Sequence, residues 1–128
     1  MHSRYLTLLV AVAAALAISS AAVASGGWSG TYQTTIKRPA QLKGTWGLIF
    51  AKGGTYTVTV NGQPVARGSY STTPTTITFA RERGSSCSGR GTYAWTKSGK
   101  VVTFTRKRES SSCQARALVL SHRFTRVR

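Results

Sequence analysis

The chain has 128 residues, of which 18 are Lys or Arg and only 2 are acidic, so its formal net charge at pH 7 is +16. This length suits one small domain with a modest core rather than several domains. The two cysteines and two isolated histidines lack zinc-ligand spacing, so we predict neither a metal site nor a cofactor.

The first predicted element is a signal peptide over residues 1–24. A short start with one positive charge precedes an uncharged apolar run from Leu6 to Ile18, and the segment ends Ala22-Val23-Ala24, a pattern that signal peptidase accepts. The apolar run is shorter than the roughly 20 residues that a membrane-spanning helix needs. We therefore expect cleavage near Ala24, before Ser25, and a secreted, extracellular domain over residues 25–128.

Beyond the signal peptide, apolar residues alternate with threonine at a period of two, which predicts β-strands with apolar faces inward and threonine outward. Asn61-Gly62 is a strong signal for a type I′ hairpin turn. We predict strands at 28–36, 45–52, 55–61, 64–71, 75–82, 90–97, 100–107 and 115–125. The fold class is therefore all-β, with an antiparallel up-and-down meander closing into an eight-stranded barrel.

The two cysteines lie in connections at the same end of this meander. Cys87 precedes the strand at 90–97, and Cys113 follows the strand at 100–107. Two cysteines in an exported chain predict a disulfide, and this placement allows one without distorting the strands. We expect the bridge to be structural.

The inward positions define the candidate ligand-binding site. They carry an aromatic set that would line a pocket if the barrel were hollow: Trp46, Tyr56, Tyr70, Phe79, Tyr93, Trp95 and Phe104. A barrel of this size can also be filled by its own side chains, which would make these aromatics core. We expect solid core near the disulfide, with any cavity at the end of the Asn61-Gly62 and Ser98-Gly99 turns.

An ordered set of short motifs runs from Gly44 to Arg128. It comprises Gly44-Thr45-Trp46, Gly54-Thr55-Tyr56, Gly68-Ser69-Tyr70, Ile77-Thr78-Phe79, Cys87, Gly91-Thr92-Tyr93-Ala94-Trp95, Val102-Thr103-Phe104 and Cys113-Gln114-Ala115-Arg116. With this set the chain resembles small secreted bacterial proteins with lipocalin-like, or calycin-type, β-barrels. The resemblance implies an eight-stranded lipocalin-like barrel and the binding of a small apolar ligand.

Catalysis is not predicted from this sequence. Once the signal peptide is removed, the candidates for acid–base chemistry are His122, Glu82 and Glu109, which are isolated from one another along the chain. We therefore expect a non-catalytic binding module without catalytic residues. One alternative is a protein-binding role, such as protease inhibition, through loops at one barrel end.

A second alternative follows from the charge. Removal of Arg4 with the signal peptide leaves 17 Lys and Arg against 2 Glu, a net charge of +15. Such an excess favours adhesion to polyanionic partners such as cell-wall polymers or nucleic acid, without sequence-specific recognition of nucleic acid. The cations are spread along the whole chain, so the excess can equally serve solubility alone.

Overall fold

The computed structural model describes residues 24–25 and 28–128. The predicted signal peptide lies outside the described residues except for Ala24, and its cleavage stays a prediction. Within the described part, no helix combines the length and the hydrophobicity needed to cross a membrane.

The described residues form one antiparallel sheet that closes on itself. Its strands are β1 (Ala24–Ser25), β2 (Gly30–Ile36), β3 (Gly44–Phe50), β4 (Thr55–Val60), β5 (Gln63–Thr72), β6 (Thr76–Arg83), β7 (Gly91–Ser98), β8 (Val101–Arg108) and β9 (Phe124–Arg126). Strands β2 to β9 pair in chain order, and β9 pairs back to β2. The predicted eight-stranded up-and-down barrel is confirmed, and the two-residue β1 adds to β5.

The predicted hairpin turn at Asn61-Gly62 is also confirmed. It joins β4 to β5, and both residues have positive φ, 50° and 82°. Asparagine and glycine tolerate this region better than other residues, which is why the pair favours a type I′ turn.

The prediction of a strand at 115–125 is wrong for most of its length. Residues Gln114–Leu120 form a helix, α1, which follows a 3₁₀ turn at Ser111–Cys113; only Phe124–Arg126 is strand. Alanine, leucine, arginine and glutamine favour helix. The buried residues Arg116, Val119 and Leu120 follow helical i, i+3, i+4 spacing. Leu118, which the alternation of a strand would place on the same face as Leu120, is 49% exposed.

The predicted disulfide is present and joins two connections at one end of the barrel. Cys87, in the β6–β7 loop, is bonded to Cys113, directly before α1, and both are buried. We call this the disulfide end. It also carries the β2–β3 connection, with a 3₁₀ turn at Ala40–Leu42, and the β4–β5 turn.

The opposite end carries the β3–β4, β5–β6 and β7–β8 turns. Trp28, just before β2, packs there against the rings of Phe50 and Trp95, with centroids 5.3 and 5.0 Å away. We call this the tryptophan end. Successive connections of a meander alternate between ends, so Asn61-Gly62 and Ser98-Gly99 lie at opposite ends, and the expectation that they share one was wrong.

Candidate functional site: a cavity at the disulfide end

A cavity of about 200 Å³ lies inside the disulfide end of the barrel, beneath α1. Its mouth is rimmed by exposed residues, among them Val65, Gly84, Ser86 and Ala115, so it opens to solvent. Its apolar wall is formed by Trp46, Leu48, Tyr56, Val58, Ala66, Phe79, Val119 and Leu120. The cavity therefore lies where solid core was expected, and that expectation was wrong.

A buried ion pair lies beside the cavity. The Arg116 Nη2 and Nε atoms donate to the two Glu109 carboxylate oxygens at 2.6 and 2.9 Å, and the side chains are 6% and 0% exposed. Tyr93 donates a short hydrogen bond to the same carboxylate. Burial works to raise the pKa of Glu109, but the hydrogen bonds from Arg116 and Tyr93 and the Arg116 charge outweigh it, so the pKa is lowered.

The pairing leaves one donor of Arg116 unused. Its Nη2 atom also donates to the Gly89 carbonyl at 2.8 Å, but its buried Nη1 atom has no hydrogen-bond partner among the described residues. Buried polar atoms are nearly always hydrogen-bonded, and leaving one unsatisfied costs about 1–3 kcal/mol, more for charged groups. Arg116 is also one of the residues that line the cavity, so the side chain with the unsatisfied donor borders the free volume.

A second buried carboxylate, Glu82, also lines the cavity. Tyr56 donates its hydroxyl hydrogen to one Glu82 oxygen at 2.8 Å, and Ser85 donates to the other at 2.5 Å. Burial, reinforced by the Glu82 charge, raises the pKa of Tyr56, so its hydroxyl stays protonated and continues to donate. The cavity is therefore apolar on most sides, with a polar group at Glu82 and another at Arg116.

A β-bulge between β5 and β6 explains why Glu82 points inward. The register shifts so that Arg81 and Glu82 together lie opposite Gly68. Phe79 faces the core, so simple alternation would place Arg81 inside as well. The bulge instead leaves Arg81 exposed at a positive φ of 55° and buries Glu82.

A similar register shift between β7 and β8 precedes Glu109. Lys107 is the extra residue there, and the pair Thr92–Arg108 that follows faces outward. Glu109, the next residue, turns inward and its carboxylate becomes fully buried. Sequence alternation alone could not place either glutamate in the interior.

Two glycines within strands carried the signal that could have located these carboxylates. A Cβ atom on Gly91 would lie 2.5 Å from both Glu109 oxygens and 2.7 Å from Arg116 Nη2. A Cβ atom on Gly68 would lie 2.7 Å from the Tyr56 hydroxyl oxygen. Glycine inside a strand often marks a bulge or a close approach of another group, which is the case at both positions.

The aromatic set predicted from the sequence is divided between the cavity wall and the filled core. Trp46, Tyr56 and Phe79 line the cavity. The remaining four lie among the described core residues or pack against them without lining it: Tyr70, Tyr93, Trp95 and Phe104. The interior is thus filled at the tryptophan end and partly hollow at the disulfide end.

At the tryptophan end, the polar atoms of Tyr70 and Trp95 have hydrogen-bond partners within the protein. The Tyr70 hydroxyl lies 2.6 Å from the Trp28 carbonyl oxygen and 2.7 Å from that of Ala51. The Trp95 indole donates to the Thr76 carbonyl at 3.1 Å. These hydrogen bonds tie the side chains of the tryptophan end to the backbone of neighbouring segments.

The histidine considered for catalysis lies at the end of α1. The Nδ1 atom of His122 lies 3.0 Å from the Leu118 carbonyl oxygen, while Glu82 and Glu109 bond to other residues. Within residues 24–25 and 28–128, no three His, Cys, Asp or Glu side chains are grouped as metal ligands would be.

No protein-family model matches this chain, and no curated protein or solved structure is significantly similar to it.

Proposed function

We propose that this protein is a secreted, non-catalytic, lipocalin-like binding module that holds one small, mainly apolar molecule in the cavity at the disulfide end. One observation carries the proposal: an open apolar cavity coincides with the buried Arg116 side chain, whose Nη1 atom has no partner among the described residues. Small-molecule sites typically combine an apolar wall with a few polar groups that fix orientation.

The volume limits the size of the ligand. An engineered apolar cavity of about 150 Å³ in another protein holds one benzene molecule. A cavity of about 200 Å³ therefore suits a single ring with a small substituent, or a short branched hydrocarbon with one polar group. Long lipid chains would extend through the mouth into solvent.

The buried charges favour an uncharged ligand with one hydrogen-bond acceptor. Glu109 already balances the charge of Arg116, and Glu82 adds a second carboxylate to the same interior. A carboxylate ligand would add a further negative charge close to Glu82, which is costly in a buried site. A carbonyl or hydroxyl oxygen can accept a hydrogen bond in this site without that cost.

The disulfide supports this site structurally. Cys113 immediately precedes α1, so its bond to Cys87 fixes the start of the helix that carries Arg116. Disulfides persist in oxidising compartments, which agrees with the signal peptide predicted from the sequence and supports secretion.

Native mass spectrometry of the protein secreted by its own host tests the proposal. We expect one small molecule per chain on the wild type and none on Ala66→Phe, because Ala66 is buried and lines the cavity. Thr57→Phe, on the outer face of β4, is the control and should retain the molecule. The proposal fails if the wild type carries no molecule and also binds no single-ring compound, such as benzyl alcohol, in solution.

A further inference from the structure

The outer surface of the barrel carries a second feature, independent of the cavity. A depression of about 850 Å³ lies across the outside of β5 to β8, on the opposite face of the sheet from the barrel interior. We call it the outer groove. It is lined by hydroxyl groups and cations and by no acidic side chain of the described chain.

Four cationic residues converge on the outer groove from three segments: Arg81, Arg90, Lys107 and Arg108. All four are exposed, and none forms an ion pair within the described residues. The reason is that both glutamates point into the barrel. Cations that are widely separated in sequence thus become one patch of uncompensated charge.

Hydroxyl groups cross the floor of the outer groove in register. Ser71 pairs with Thr78, Thr78 pairs with Thr92, and Thr92 pairs with Arg108, so three hydroxyls and a guanidinium form a row over four strands. The Thr78 and Thr92 hydroxyl oxygens are 3.1 Å apart. Such hydroxyls can donate to anionic oxygens, as serine and threonine do in many phosphate contacts.

The same two bulges that bury the glutamates build this cationic surface. The β5–β6 bulge turns Arg81 outward, and the β7–β8 bulge lets the consecutive residues Lys107 and Arg108 both line the outer groove. Regular alternation would have placed Arg81, and one of the two residues Lys107 and Arg108, on the inner face. Bulges often re-aim a side chain at functional sites.

We infer that the outer groove binds a linear polymer of phosphate groups that lacks bases. Guanidinium groups bind phosphate oxygens through paired, charge-assisted hydrogen bonds, and three of the four cations are arginines. Tyr70, the one aromatic residue among the described residues lining the outer groove, is only 3% exposed. The outer groove thus lacks the aromatic platform on which single-stranded nucleic acids stack their bases.

Titration calorimetry, which measures the affinity for a polyphosphate chain of defined length, tests this inference. Arg81→Gln combined with Arg108→Gln should weaken binding at least tenfold in moderate salt. The control is Arg38→Gln combined with Arg123→Gln, which removes two exposed arginines outside the outer groove and leaves the same net charge. We expect the control to change affinity less than threefold.

The salt dependence gives a second readout. If about four phosphates are contacted, the slope of log affinity against log salt should be roughly −3, and the outer-groove variant should lower its magnitude by about half. Equal weakening in both double variants would overturn the inference, since it would mean that net charge alone binds the polymer. Thermal melts establish that both variants are folded.

Two further polymers separate phosphate recognition from other sources of negative charge. At matched charge, we expect heparin and oligo-thymidylate to bind no more tightly than polyphosphate. Preference for the oligonucleotide would assign the outer groove to nucleic acid, and preference for heparin would assign it to sulfated sugar; either result would overturn the inference. Ala66→Phe should leave polyphosphate binding unchanged, so failure of the cavity proposal can be recognised separately.

Discussion

The two ends of the barrel share the same strands but differ in how their interiors are filled. At the tryptophan end, Trp28 packs against Phe50 and Trp95. The Lys97 ammonium lies 4.6 Å from the centroid of the Trp28 ring. At the disulfide end, the interior holds a cavity of about 200 Å³ and the unsatisfied donor of Arg116. The difference indicates that the first end provides more of the stability, whereas the second retains free volume and buried polar groups, which is where we propose that a ligand is held.

Replacing a tryptophan at each end is expected to give the largest effect and the clearest contrast. Trp28→Ala should lower the free energy of unfolding by about 3–5 kcal/mol, because it removes a large side chain that contacts several core rings. Trp46→Ala should cost less, since Trp46 is half-buried and borders existing free volume. Urea unfolding measures both; equal costs would contradict the contrast between the ends.

Removal of the disulfide should destabilise the protein by roughly 3–4 kcal/mol, given the separation of 26 residues between the cysteines. The variant replaces both Cys87 and Cys113 with Ser, so no free thiol remains. Hydrogen exchange should accelerate first in α1 and around the cavity, and last at the tryptophan end. A uniform acceleration throughout the barrel would show that the bridge does not act locally.

Glu109→Gln should cost about 3 kcal/mol, measured by urea unfolding. It leaves the buried Arg116 charge without its partner, which is strongly destabilising in comparable buried pairs. Glu109→Gln combined with Arg116→Met removes both charges and should recover most of the loss. If the single variant is as stable as the wild type, the ion pair contributes nothing to the fold.

Acidification should also lower the stability of the fold through the Glu109–Arg116 pair, by less than the Glu109→Gln substitution does. The pKa of Glu109 is lower in the folded protein than its unfolded value of about 4.3, so ionised Glu109 stabilises the fold above that value. This contribution is lost as the pH falls through the folded pKa. The free energy of unfolding, measured from pH 6 to pH 2, should therefore decline more in the wild type than in Glu109→Gln. Parallel curves would contradict the claim that ionised Glu109 stabilises the fold.

The sequence was sufficient to predict the barrel because its strands are regular. Alternating apolar and threonine residues locate seven strands, and the Asn61-Gly62 turn and the cysteine placement agree with the same meander. The helix at Gln114–Leu120 was missed because Leu118 and Leu120 also satisfy a period of two. Its helical spacing becomes clear only when the buried Arg116 is counted as an interior residue.

The candidate site was less predictable than the fold, and the reason is local. Glu82 lies within a bulge and Glu109 follows one, and a bulge reverses the inward and outward assignment of the residues after its extra residue. The burial of Glu109 also depends on Arg116, which approaches it from another element and has no signal in local sequence. Strand glycines such as Gly91 offered the one local indication.

The three tryptophan indole groups allow the most direct test of the account. Trp46 lines the cavity, whereas Trp28 and Trp95 lie at the tryptophan end. In a proton–nitrogen NMR titration with benzyl alcohol, we expect saturable shifts of the Trp46 indole and Arg116 Nε signals, with the other two indoles unmoved, and no shifts in Ala66→Phe. Absence of saturable shifts at Trp46, or equal shifts at all three indoles, would contradict a ligand site at the disulfide end.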